Sequence, residues 1–136
     1  MPTSTIEIRN VAGTQAAMGW ADSHTLIIDR PVGRAGGMGL GFNGAQLLGL
    51  AIGGCFANDL RYVAEELGLS IGEISISVSV ALEGVPVRAT SAEMLVSASM
   101  SDGSDPAPLI AKAREISMAM NSMEKGLTVS VAQREG

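Results

Sequence analysis

One cysteine and one histidine in 136 residues leave this chain without the material for an internal disulfide or a cluster of soft metal ligands. Lys and Arg together number 9 against 14 Asp and Glu, for a net charge of −5. No run of basic residues interrupts that balance, which excludes a surface built to displace counterions from nucleic acid. No apolar run approaches the roughly 18 residues that cross a bilayer, and MPTSTIEIRN lacks the basic-then-apolar order of a secretion signal. The expectation is a soluble cytoplasmic protein with no metal, no cofactor, and neither a membrane nor a nucleic acid as partner. Aromatic residues make up only 3% of the chain, so core volume must come from aliphatic side chains and from 8 adaptable methionines.

What is present suffices for one domain over residues 1–136, since 46% of the residues are hydrophobic. Ile6 and Ile8 alternate with polar neighbours, and short apolar stretches from Gln15 to Trp20 and from His24 to Asp29 complete the pattern of a three-strand meander. Pro31 ends the third strand, and six glycines between Gly33 and Gly44 then exclude regular structure. From Asn43, an N-cap candidate, to Gly68, a C-terminal stop, the letters predict a long helix. Its first half is apolar on nearly every face, and Gly49, Gly53 and Gly54 in its interior call for close approach by a second helix. Ile74, Ile76, Val78, Val80 and Leu82 alternate with small residues as a strand, paired through the turn at Gly84 to Pro86 with Ala92 to Met100. Asp105 and Pro106 open a second helix running to Lys125, Gly126 stops it, and Leu127, Val129 and Val131 predict a closing strand. The layout is α+β, in the order β-β-β-α-β-β-α-β, with two central helices packed on antiparallel sheet.

Two features compete for the functional site. Gly39-Leu40-Gly41-Phe42-Asn43-Gly44 spells G-x-G-x-x-G, but a dinucleotide turn needs a buried strand directly before it and an acidic residue ending the next strand. Gly33 to Met38 cannot be that strand, and Asp59, Glu65 and Glu66 lie inside the predicted helix. The motif reads instead as a flexible loop leading into the helix. The other feature is Cys55. A lone cysteine on an apolar helix is more often a small core residue than a nucleophile. Cys55 lies about three turns from the helix start, beyond useful help from the macrodipole, so activation would need a nearby cation. Arg61 points to a different face, and Asp59, one turn on, would oppose thiolate formation if it were near. His24 reads as a surface or packing residue and Met118, Met120 and Met123 as core.

His24-Thr25-Leu26-Ile27-Ile28-Asp29-Arg30-Pro31 followed by Gly36-Gly37, the helix Gln46 to Cys55, then Arg61-Tyr62-Val63-Ala64 and the segment Ser117 to Asn121 together resemble the OsmC and Ohr superfamily across nearly the whole chain. The resemblance implies an intertwined homodimer and a thiol-dependent hydroperoxide reductase. In that reading Cys55 is the peroxidatic thiol, oxidised to a sulfenic acid. Ser117 occupies the position of the family's second, resolving cysteine. Ala45 and Gln46 stand where the family's peroxidases carry a glutamate, and the first hairpin, Val11 to Ala17, has no activating arginine; Arg30 or Arg34 could substitute only by rearrangement.

The departures leave two readings open. One is a one-cysteine peroxidase in which Cys55 reduces a small organic hydroperoxide and an external thiol completes the cycle. The other is a dimer that keeps the fold but not the chemistry and binds a small apolar ligand or serves a non-peroxidase role.

Overall fold

The computed structural model describes residues 2–134, in two compact units that divide at residue 48. In the first unit, β1 (Glu7–Asn10), β2 (Ala17–Ala21) and β3 (His24–Ile28) form an antiparallel meander in the order β1-β2-β3. Ile8 lies opposite Gly19, and Gly19 opposite Leu26. Arg9 on β1 lies over the ring of its near neighbour across the ladder, Trp20, with its guanidinium carbon 5.5 Å from the centroid.

The glycine-rich segment is ordered by one buried carboxylate. Asp29, just past β3, accepts hydrogen bonds from the backbone N–H groups of Arg30 (2.8 Å), Met38 (3.1 Å) and Leu40 (3.0 Å). Arg30 adds an ion pair at 3.4 Å and donates to the Gln15 carbonyl. The loop therefore turns back on itself and returns to β3, where Phe42 donates to the Ile27 carbonyl at 2.9 Å and accepts from the Asp29 N–H at 3.1 Å. The return brings Gly41 so near the Ile27 carbonyl that a Cβ there would collide with backbone. Gly37 and Gly41 thus fit the chain against its own backbone.

The long helix α1 (Gly44–Leu67) begins and ends as its residues dictate. Asn43 Oδ1 accepts from the Gln46 N–H, and Gln46 Oε1 accepts from the Asn43 N–H, both at 2.9 Å, a reciprocal capping box. At the other end Gly68 takes a φ of 68°, and the Leu69 N–H reaches the Ala64 carbonyl in a Schellman closure.

In the second unit α1 lies on the hairpin of β4 (Ile71–Glu83) and β5 (Arg88–Met100). Cross-strand pairs Ile74 with Ala98, Ile76 with Val96 and Val78 with Met94 line one face, while Ser75, Ser77 and Ser79 point away from it. Phe56, Leu60, Val63 and Ala64 of α1 pack into one cluster with Ile71, Met100 and, from α2 (Ala107–Ile116), Leu109 and Ala113. Truncating a fully buried member such as Leu60 to alanine removes about 2–5 kcal/mol.

Five expectations change, the first being a core position for Met118 and Met123, which are 66% and 41% exposed. The glycines of α1 do not receive a helix: a Cβ on Gly53 would meet Val78 Cγ2 at 2.8 Å, Gly49 also faces Val78 and Val80, and Gly54 faces nothing within 4 Å. Close packing against a β-branched strand explains Gly53 and Gly49; Gly54 has no such neighbour. Nor is the first half of α1 buried all round, because only one face meets the sheet and Leu50 on another is 46% exposed. The second helix is two, α2 and α3 (Met118–Lys125), broken at Ser117, whose ψ of 113° is extended. The break is sustained by Asn121, whose Nδ2 donates to the Glu115 carbonyl at 3.0 Å and so satisfies a helix-end acceptor. The Arg114–Glu124 ion pair ties the two pieces together. Finally, 127–131 forms no strand, since it pairs with neither sheet of the described residues.

Two outcomes follow from this packing. Leu40 above all, helped by Arg30 and Met38, holds the Asp29 carboxyl below its ordinary value of 3.8 against the opposing effect of desolvation. A carboxyl depressed in the folded state contributes its stability above its unfolded value and loses it as pH falls through the folded one. Asp29→Asn should therefore melt below the wild type at neutral pH, with the gap closing below pH 3.8, as read by circular dichroism. Ser117 is fully buried, and its hydroxyl has no hydrogen-bond partner among the described residues. Because removing an unsatisfied buried hydroxyl relieves its desolvation cost, Ser117→Ala should raise the unfolding free energy in urea by about 1 kcal/mol.

Candidate functional site

Cys55 sits in the fourth turn of α1, between Gly54 and Phe56, where the helix passes from its open flank to its buried stripe. Its side chain is accordingly half-buried and its thiol is free. One turn further along the same face lies Asp59, buried to 6% exposure. The helical repeat brings positions four apart together, and Cys55 Sγ donates to Asp59 Oδ2 at 3.6 Å. The neighbour that the spacing warned of is thus in contact with the thiol.

A carboxylate beside a thiol resists the appearance of a second negative charge. The contact that the thiol makes within α1 is with this carboxylate. Arg61, the only basic residue of α1, is held elsewhere by the carbonyl of Ile71 at 3.2 Å. Arg30, one of the two residues considered as a substitute activator, has its guanidinium engaged by Asp29 and Gln15 within the first unit. Electrostatically, then, the group in contact with the thiol is a proton acceptor.

Ser117, the other expected site residue, lies at the break between α2 and α3, fully buried. Since its hydroxyl is unpartnered, no hydrogen bond joins it to Cys55. A hydroxyl cannot form a disulfide, so a sulfenic acid at Cys55 would have no resolving group at that position. His24 is exposed on β3, as expected for a surface residue. Among the described residues no three His, Cys, Asp or Glu side chains converge as a metal-ligand set, and no helix is long and apolar enough to cross a membrane.

One structural carboxylate escaped the sequence reading. Asp29 was visible only as part of a motif, and its role depends on N–H groups brought back from Met38 and Leu40. The nearest sequence signal was an aspartate followed by arginine, proline and a glycine run, which marks a turn without saying what stabilises it.

The arrangement of sheets and helices is shared with known structures. An OsmC-like protein from Mycoplasma pneumoniae superposes with a TM-score of 0.74 at 14% identity, over 90% of this chain and 88% of that one. An organic hydroperoxide resistance protein OsmC from Legionella pneumophila gives 0.63 at 21% identity, over 90% of each chain. The organic hydroperoxide resistance protein OhrB of Bacillus subtilis gives 0.57 at 22% identity, over 88% of this chain and 90% of that one. No curated protein matches the chain in sequence. The family model described as OsmC-like protein matches residues 36–132, from the glycine loop through α1, the hairpin and both short helices. With that match spanning more than half of its residues and the fold shared at low identity, the chain belongs to the OsmC-like protein family as a divergent member.

Proposed function

We propose that this protein is a one-cysteine, thiol-dependent reductase of small organic hydroperoxides, with Cys55 as the attacking thiol. The observation that carries the reading is the half-open position of the chain's sole thiol on the central helix of a fold that hydroperoxide resistance proteins share. Sγ attacks the terminal peroxide oxygen, an S–O bond forms, the O–O bond breaks, and Cys55 sulfenic acid and an alcohol result. With serine at position 117, an external thiol must condense with the sulfenic acid, releasing water, and a second must reduce the mixed disulfide.

The carboxylate at Sγ favours the competing reading, a protein that keeps the fold without peroxidase chemistry and binds a small apolar ligand. Cumene hydroperoxide separates the two. The reduced protein is expected to consume it at least about tenfold faster than a free thiol at the same pH, an advantage of the size an activated cysteine provides. A trapped sulfenate on Cys55 by mass spectrometry should accompany the loss, and Cys55→Ser should abolish both. A wild-type rate equal to the free thiol's leaves the ligand-binding reading.

The working unit in this proposal is a homodimer. Three kinds of surface support it: a long two-stranded hairpin with both edges open, an exposed Leu50 and Tyr62 on α1, and the alternating segment at Leu127, Val129 and Val131, the last 95% exposed. A lone two-stranded ribbon is marginal in water, and an alternating apolar segment needs a sheet edge to cover it. Light scattering is expected to give twice the chain mass of 13.9 kDa, and a value equal to one chain would refute the dimer.

A further inference from the structure

We infer that Asp59 is the proton relay of the reaction at Cys55, taking the thiol proton as sulfur attacks and delivering it to the departing alkoxide. The inference rests on the reading of Cys55 as the attacking thiol and adds to it a second catalytic residue.

The geometry supplies the argument. Sγ and Oδ2 are 3.6 Å apart, with the thiol as donor, so the proton that must leave already points at its acceptor. The carboxylate is only 6% exposed, held on the buried stripe of α1 beside Phe56, Leu60 and Val63, which limits exchange of that proton with bulk water. Charge decides the rest. A thiolate standing free beside Asp59 would place two negative charges within one helical turn, and Arg61, the basic residue of the same helix, is directed to the Ile71 carbonyl. If the proton moves to Oδ2 while the S–O bond forms, the pair never carries more than one negative charge. That charge passes from carboxylate to sulfur and on to the peroxide.

The balance closes. Cys55–SH and ROOH give Cys55–SOH and ROH. The sulfur lone pair forms the bond to the terminal peroxide oxygen, and the O–O bond breaks with its electrons on RO. Asp59, protonated in the attack, returns its proton to that oxygen and ends as the carboxylate it began as. It is then placed to accept a hydrogen bond from the new sulfenic hydroxyl. Such a device takes over the task for which this chain has neither the glutamate at Ala45 or Gln46 nor an arginine between Val11 and Ala17.

The test compares two electrophiles on one thiol. Iodoacetamide alkylates Cys55 with iodide as leaving group, which needs no proton, whereas cumene hydroperoxide releases an alkoxide that does. In Asp59→Asn the ratio of the peroxide rate to the alkylation rate is expected to fall about tenfold or more, the low end of what a positioned acid–base group contributes. Asp59→Glu, which keeps a carboxylate one turn from the thiol, should recover part of it. An accelerated wild type whose ratio is unchanged in Asp59→Asn overturns the relay and leaves Cys55 standing. A wild type no faster with peroxide than a free thiol overturns the peroxidase reading and the relay with it. The unmodified protein provides a readout independent of any variant's folding. In heavy water the peroxide rate should drop more than the alkylation rate, and an equal response of the two counts against the relay.

Discussion

The packing of one face of α1 against the β4–β5 hairpin is the constraint on which the second unit depends. Gly53 permits it: with no Cβ, the helix comes close enough for Val78 to fill the space a side chain would occupy. From that contact the buried stripe runs through Phe56, Leu60, Val63 and Ala64 and gathers Leu109 and Ala113 from α2. Such a stripe buries Asp59 with its apolar neighbours, because a residue three positions after Phe56 and four before Val63 shares their face of the helix. The site is thus a by-product of core packing. A carboxylate is carried inward with the stripe, and the thiol beside it is left half outside.

That placement changes the chemistry open to a protein of this family. A cation beside a cysteine stabilises the thiolate before substrate arrives; a carboxylate stabilises the thiol and is useful only if it takes the proton during attack. The difference is one of timing. In the proposed relay the thiol–carboxylate contact would do without the expected glutamate and arginine, because the pair would keep a single negative charge throughout. The flank at Gly54, where a Cβ would meet nothing within 4 Å, leaves a side from which a small electrophile or a second copy of the chain can approach the same turn.

The first unit solves a different problem with the same kind of group. Asp29 is a buried carboxylate satisfied almost entirely by backbone N–H groups, which is why a run of glycines with little intrinsic order takes one path. Charge-assisted bonds to the backbone are strong, and each fixes a residue that would otherwise be free. Val32 and Met38, at 77% and 63% exposure, are displayed on that ordered loop.

Much of this was legible in local pattern. Alternation at Ile74 to Leu82, the cap at Asn43 and the stop at Gly68 are properties of neighbouring residues, and those elements appear where the letters place them. The spacing of Cys55 and Asp59 was legible for the same reason, since a helix brings residues four apart onto one face. Other features needed partners distant in the chain. Alternation at Leu127, Val129 and Val131 is a necessary condition for a strand, yet without an edge to bond to it remains an extended segment. The break at Ser117 depends on Asn121 reaching back to Glu115, and the glycine loop on N–H groups that return to Asp29 from Met38 and Leu40. The sequence alone determined which residues have the periodicity to form helix and strand and which one bears a thiol. Only tertiary structure decided how deeply that thiol and its neighbour are buried, because burial is settled by the elements that pack together and not by the order in which they are written.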